Sequence, residues 1–197
     1  MKKAFLLVVI LFVSVMSTAC INNMAVQELN NRAKSYLDNG DYENAISRLK
    51  SSIDLDPTIF ETHYNLGIAY TQAEEYPEAV ETFQSAIKIK PDFADTYYSL
   101  AVAQENYAQA IIGGTLKSKD DEKATDKEDK SDELGAPKKL NKEETAQVEK
   151  LLTDSISSYT NYLEKGKNID DTKEVEEKIE YLKTQLVKYS TTKTIAG

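Results

Sequence analysis

Two stretches of this chain place apolar and small residues at the same helical spacing, 34 residues apart. Ala45, Leu49, Ser52, Ile53 and Leu55 lead to Pro57; Ala79, Phe83, Ala86, Ile87 and Ile89 lead to Pro91. Upstream of each, a second periodic stretch repeats: Leu29 to Tyr36 faces His63 to Tyr70. Large and small residues at i, i+3 and i+4 spacing predict helices, so each copy reads as two helices with a turn at 38–42 or 72–76. Asp41 suits the cap of the second helix in the first copy, and Pro77 suits the first helical position in the second. Small residues such as Ala33, Gly67, Ala45, Ala79 and Ala86 allow paired helices to approach closely, with Tyr36, Tyr70, Leu49 and Phe83 filling the space beside them. A fixed period of this length signals stacked copies of one small unit.

A third copy begins at Asp95-Thr-Tyr-Tyr98-Ser-Leu100-Ala101 and then breaks. Gly113-Gly114 stops the helix, and a mixed-charge stretch without aromatic residues follows. That composition buries too little apolar surface to fold, so 113–141 reads as a disordered charged insertion. The missing partner helix returns late, with Ser155 to Leu163 matching Ala45 to Ile53, displaced by about 42 residues from the regular register. Residues from about 142 to 154 extend this returning helix. A last helix is predicted over about 172–189, with Asp171 and Glu174 as a capping-box-like start and Val175, Ile179, Leu182 and Leu186 as its apolar stripe. Glu177 stands where a further copy would want a small residue, which makes this helix a cap over the open end.

Leu66, Gly67, Tyr70, Ala79, Phe83, Ala86 and Pro91 match the pattern of the tetratricopeptide repeat, which the chain resembles over residues 26–93. Leu29 and His63 stand where that family usually has tryptophan. The resemblance implies an all-α fold: a short solenoid of helical hairpins with an interrupted third repeat and a C-terminal capping helix. It further implies a concave groove lined by the first helix of each unit, able to bind a peptide or helix of a partner. Carried over position by position, the groove candidates are Asn30, Lys34, Tyr64, Ile68, Tyr98 and Val102, flanked by Glu61, Thr71, Asp95 and Glu105. Tyr64, Ile68, Tyr98 and Val102 would form an apolar seam, a feature that marks a partner unless the cap helix or the insertion covers it. Members that hold a C-terminal carboxylate use a clamp of basic residues. Here Lys34 is the one base among the groove candidates and Glu61 and Asp95 oppose it, which argues against that ligand.

The N-terminus has a different pattern: Lys2-Lys3, an apolar run from Ala4 to Met16, then Ser17-Thr18-Ala19-Cys20. This is the layout of a secretory signal, with a run too short to span a bilayer comfortably. Its end resembles the lipobox of bacterial lipoproteins, although Ser17 stands where leucine is usual. The resemblance implies removal of residues 1–19 and diacylglyceryl transfer to Cys20, the only cysteine. Ser17-Thr18-Ala19 also fits ordinary signal cleavage. Ile21 in place of Asp implies outer-membrane sorting if the source has two membranes.

Charge narrows the picture further. Removing residues 1–19 leaves 22 Lys and Arg against 33 Asp and Glu, a net charge of -11. Such a chain has no electrostatic affinity for phosphate backbones or anionic lipid, so nucleic acid is not an expected partner, and membrane attachment falls to the acyl chains. Candidate chemistry is thin. His63 reads as a packing residue, since no second His and no neighbouring Cys can complete a metal site or nucleophilic relay. The acids from Asp120 to Glu133 lack calcium-loop spacing. Neither a cofactor nor a metal is expected, and no catalytic constellation is present. The expected organisation is a signal peptide at 1–19, repeats at 20–112, the insertion at 113–141, the returning and capping helices at 142–190 and a flexible tail at 191–197. The expected function is a non-enzymatic, lipid-anchored adaptor or assembly factor of the cell envelope; the alternative is a self-associating structural envelope protein.

Overall fold

The computed structural model describes residues 23–116, 140–167 and 170–195. The expected signal peptide, Cys20 and most of the charged insertion lie outside them. The described residues form seven helices and no strand. They are α1 (23–38), α2 (Tyr42–Leu55), α3 (Phe60–Gln72), α4 (Tyr76–Ile89), α5 (Ala94–Gly113), α6 (Lys142–Lys165) and α7 (Thr172–Ile195). Helices α2 to α7 pack successively on one another as antiparallel hairpins, and α1 joins them through Ala33 in the core and Asn30 bonded to Ser52 of α2. α7 runs through Ile195, over most of the segment assigned above to a flexible tail. Residues 190–195 contain neither Gly nor Pro, which suits continuation of the helix to Ile195.

Local chemistry accounts for most boundaries. The Asp41 carboxylate accepts the backbone N–H of Asn44 at 3.2 Å and so caps α2, and Pro77 occupies the first turn of α4. Asn141 and Glu144 form a reciprocal capping box at the start of α6, with both bonds at 2.9 Å. That N-x-x-E signature is readable in the sequence. α5 ends because Gly114 takes a left-handed conformation, φ 69°, which returns its N–H to Ala110 and Ile111. Between the helices of the first two units, Gly40 (φ 73°) and Glu74 (φ 63°) occupy the same repeat position. Glu74 holds there a conformation that costs an L-residue roughly 1 kcal/mol and Gly almost nothing.

Equivalent positions also tie down the two inter-unit loops. His63 Nε2 lies 2.8 Å from the carbonyl of Pro57, and the Tyr97 hydroxyl donates to the carbonyl of Pro91 at 2.9 Å. A carbonyl only accepts, so the hydrogen sits on Nε2 of His63. His63 is half-buried, in keeping with the structural reading of it, and it also ties down this loop as a donor.

The core has two parts that meet at α5. Ala33, Ala45, Leu49, Leu66, Ala69, Tyr70, Ala79 and Phe83 form the first with Leu100 and Ala103 of α5. Ala101, Ala108 and Ile111, on another side of α5, form the second with Val148, Leu151, Leu152, Tyr159, Val175 and Leu182. Ser155, matching Ala45 in the repeat, is fully buried and donates to the Ala101 carbonyl at 2.9 Å. A hydroxyl is therefore tolerated at this small-residue position because it finds an acceptor.

The junctions between units are not equivalent. Asn30 of α1 places its amide nitrogen 2.9 Å from Ser52 Oγ and 3.0 Å from Thr62 Oγ1, joining three helices. One unit later the same positions are Tyr64, Ala86 and Thr96. Thr96 is fully buried, and its hydroxyl has no partner. Buried and unpaired, such a group costs about 1–3 kcal/mol. Thr96→Val is therefore expected to stabilise the protein by about 1 kcal/mol, whereas Thr62→Val, which removes a bonded partner of Asn30, should destabilise it by about the same amount. Chemical denaturation of the two variants checks the opposite signs.

Candidate functional site

The first helices of the units, α1, α3, α5 and α7, lie side by side and present one continuous face. Contacts along it establish the order: Asn30 reaches Thr62, the Tyr64 hydroxyl lies 3.5 Å from Ser99 Oγ, and Lys178 of α7 meets Glu105 of α5 at 2.8 Å.

The groove candidates fall into three groups on this face. Lys34 and Ile68 come together at its α1 end, where they line an open cleft of about 440 Å³ with Leu37, Asp38, Tyr42, Asn65 and Gln72. Lys34 is exposed and Ile68 half-buried. Tyr98 forms the second group: its ring stays 36% exposed while meeting Tyr159 and Tyr162 edge-on at 5.5 and 5.2 Å. The third group is committed within the chain. Asn30 spends its amide on Ser52 and Thr62. Tyr64 sits half-buried among Phe60, Phe83 and Phe93, with ring centroids 5.7 to 6.1 Å away. Val102 packs against the second core. Thr71 donates back to the Gly67 carbonyl at 2.8 Å. Of the groove candidates, Lys34 and Tyr98 are exposed, and Ile68 is half-buried, as are the internally engaged Asn30, Tyr64 and Val102. Cys20 lies outside the described residues.

Electrostatics on this face depend on a residue that sequence reasoning missed. Lys178 neutralises Glu105, whose side chain is 12% exposed and also accepts the Tyr159 hydroxyl at 3.4 Å. Lys178 was not singled out because only the packing of α7 on α5 and α6 brings it there; its charge flanking an apolar stripe was the sole local sign. Glu61 and Asp95 remain exposed. Burial pushes the Tyr159 hydroxyl far above the usual tyrosine value, and the charge of Glu105 adds to it. Tyr162 is pushed up to about 12, by burial first and then by its 2.9 Å bond to Asp171. Both hydroxyls therefore remain neutral donors at physiological pH. The Asp171 carboxylate, expected above to start α7, is engaged by Tyr162.

Beside Tyr162 a second open cleft, about 610 Å³, is lined by Asp92, Phe93, Asp95, Lys165, Lys167, Asp170 and Asp171 among others. Among the described residues no group of His, Cys, Asp and Glu could hold a metal ion, and no helix is long and apolar enough to cross a membrane. The face offers shape, apolar surface and charge, with no nucleophile–base pair on it.

Comparison with known proteins bears on the repeats. The family described as "TPR repeat" matches residues 33–73 and 68–107. No curated protein sequence is significantly similar to the chain. Among solved structures, the first tetratricopeptide domain of human RPAP3 is similar at 14% identity and a TM-score of 0.57, covering 83% of this chain and 95% of that one. The second such domain of human RPAP3, solved in complex with the HSP70 peptide SGPTIEEVD, gives 14%, 0.56, 81% and 98%. The type III secretion chaperone SycD of Yersinia enterocolitica, in complex with a peptide of the translocator YopD, gives 13%, 0.50, 85% and 93%. At these identities the likeness establishes the fold. Residues 33–107 are tetratricopeptide repeats, and the chain folds as a tetratricopeptide-like solenoid of helical hairpins.

Proposed function

We propose that this protein is a lipid-anchored, non-enzymatic adaptor or assembly factor of the bacterial cell envelope, which holds a segment of a partner protein against the face made by its first helices. The observation that carries this reading is the open cleft at Lys34 and Ile68, with the exposed Tyr98 ring further along the same face. Apolar and aromatic surface left in a concavity is what a protein partner buries. The peptide complexes of RPAP3 and SycD support peptide binding as the use of such a fold. The charge pattern favours a segment read by apolar side chains over one read by a terminal carboxylate. Lys34 is the single cation of its cleft, Lys178 is paired with Glu105, and Glu61 and Asp95 are exposed. Membrane attachment rests on Cys20, because the mature charge of -11 repels anionic lipid. In a two-membrane source, Ile21 places the chain on the outer membrane, facing the periplasm.

Two variants test the proposal together. Cys20→Ser should leave the membrane fraction and take up no labelled fatty acid; unchanged membrane association would remove the anchor from the reading. Crosslinking in the native envelope should recover one protein with the wild type. With Lys34→Glu/Ile68→Ser the yield should fall about tenfold, equivalent to about 1.4 kcal/mol, while the melting curve is kept. Equal recovery by the double variant would take the function away from this face. A dimer that grows with concentration in light scattering would favour self-association instead. That second reading draws on Tyr181 and Val187, which leave α7 48% and 60% exposed.

A further inference from the structure

Antiparallel hairpins bring alternate helix ends to one edge of the solenoid. α1, α3, α5 and α7 begin there, and α2, α4 and α6 finish there. Side chains join this edge along its length: Phe60 meets Phe93 at 5.0 Å, and the Lys165 ammonium sits 5.3 Å from the Tyr97 ring. Three large aliphatic side chains lie on it without cover. Met24 in the first turn of α1 is 73% exposed, Leu55 at the end of α2 is 41% exposed, and Ile89 at the end of α4 is 37% exposed. Leu55 and Ile89 hold the same position in successive units, so the exposure recurs with the repeat.

Scattered exposed aliphatics are ordinary. Here they share an edge with the attachment point. Cys20 precedes Asn23, the first described residue of α1, by three residues, a span of at most about 11 Å. We propose that this edge, with Met24, Leu55 and Ile89, rests on the lipid surface to which Cys20 ties the chain. The inference depends on the lipid-anchor reading above. Asp54, Asp56 and Asp92 share the edge with Lys90 and Lys165, the latter 4.0 Å from Asp92, so the charge there is mixed and supplies no net attraction to anionic lipid. The short tether supplies it instead, holding the edge at a high effective concentration beside the bilayer. Interfacial apolar groups reach about 5–10 Å into the headgroup boundary, a depth suited to single side chains. The consequence is orientation: the helices stand on the membrane, and the groove opens sideways along it. The turns at Gly40 and Glu74, and the ends of the α5–α6 connection at Leu116 and Leu140, face the aqueous side.

The test uses the acylated full chain in phosphatidylcholine vesicles. The Cys20 thiol is blocked by its thioether, so a cysteine introduced at position 24, 55 or 89, or at the opposite-edge positions 39 and 72, is the only thiol free to take a fluorescent probe. Probes at 24, 55 and 89 should be several-fold less accessible to iodide than in the soluble Cys20→Ser background, and quenched by nitroxide-labelled headgroups. Probes at 39 and 72 should change in neither respect. Equal iodide access at 55 and 89 in vesicle-bound and soluble protein would overturn the proposal with the anchor intact. Protection from iodide without nitroxide quenching would also overturn it, since a protein surface then covers the edge. A chain that takes up no acyl label and does not float with vesicles would refute the anchor, and this proposal with it.

Discussion

Phe83→Ala is expected to cost about 3–5 kcal/mol, the range for emptying an aromatic site in a packed core. The ring is 1% exposed and lies in the first core cluster, with Leu49, Leu66, Tyr70, Ala79 and Leu100 as members. Tyr64 meets it edge-on at 6.1 Å. The neighbours cannot collapse into the vacated space without moving whole helices, because Phe83 is the large residue at the interface of α3 and α4. A small domain holds about 5–15 kcal/mol in all, so this one change should remove a large part of the stability. In a linear array the loss should spread from the second unit to both neighbours and blunt the cooperative melt. A change under about 1 kcal/mol in chemical denaturation would contradict this packing.

Gly67→Ala should also destabilise, although alanine is the better helix former by about 0.8–1.0 kcal/mol. A Cβ built at Gly67 would lie 2.6 Å from Cε1, 2.7 Å from Cδ1 and 2.8 Å from Cζ of Phe83. Overpacking of this kind costs about 1–3 kcal/mol where the neighbour cannot retreat, and more if the helices must part. The Phe83 ring is 1% exposed within the first core cluster. The two positions should therefore be strongly coupled. In the Phe83→Ala background the clash is gone, and Gly67→Ala should turn stabilising by up to about 1 kcal/mol, its helix propensity alone. A double-mutant cycle by chemical denaturation reads this directly. Additive effects would mean that the ring is not what holds position 67 to glycine.

The repeat and its helices were legible in the sequence because each rests on local spacing. The i, i+3 and i+4 pattern sets which residues share a helix face, and Asp41, Pro77, Gly114 and the Asn141-Glu144 pair mark ends through bonds within four residues. The 34-residue period then set the stacking, since identical units that cannot bury their faces alone bury them on each other. It also showed which residues occupy the face of the first helices. It did not show which of those residues remain available there. Asn30 and Tyr64 hold groove positions, yet one is spent on Ser52 and Thr62 and the other on Phe60, Phe83 and Phe93. Lys178 cancels Glu105 from 73 residues away in the chain. Thr96 keeps the position of Thr62 but loses both of its partners. Such outcomes depend on side chains distant in sequence that meet only when the helices pack, and a hydrogen bond or ion pair exists only at the distance that packing imposes. The amino-acid order by itself determined the helices, their period and the face they share. Tertiary packing decided that Lys34 and Tyr98 stay exposed on that face while Asn30, Tyr64 and Val102 are engaged within the chain.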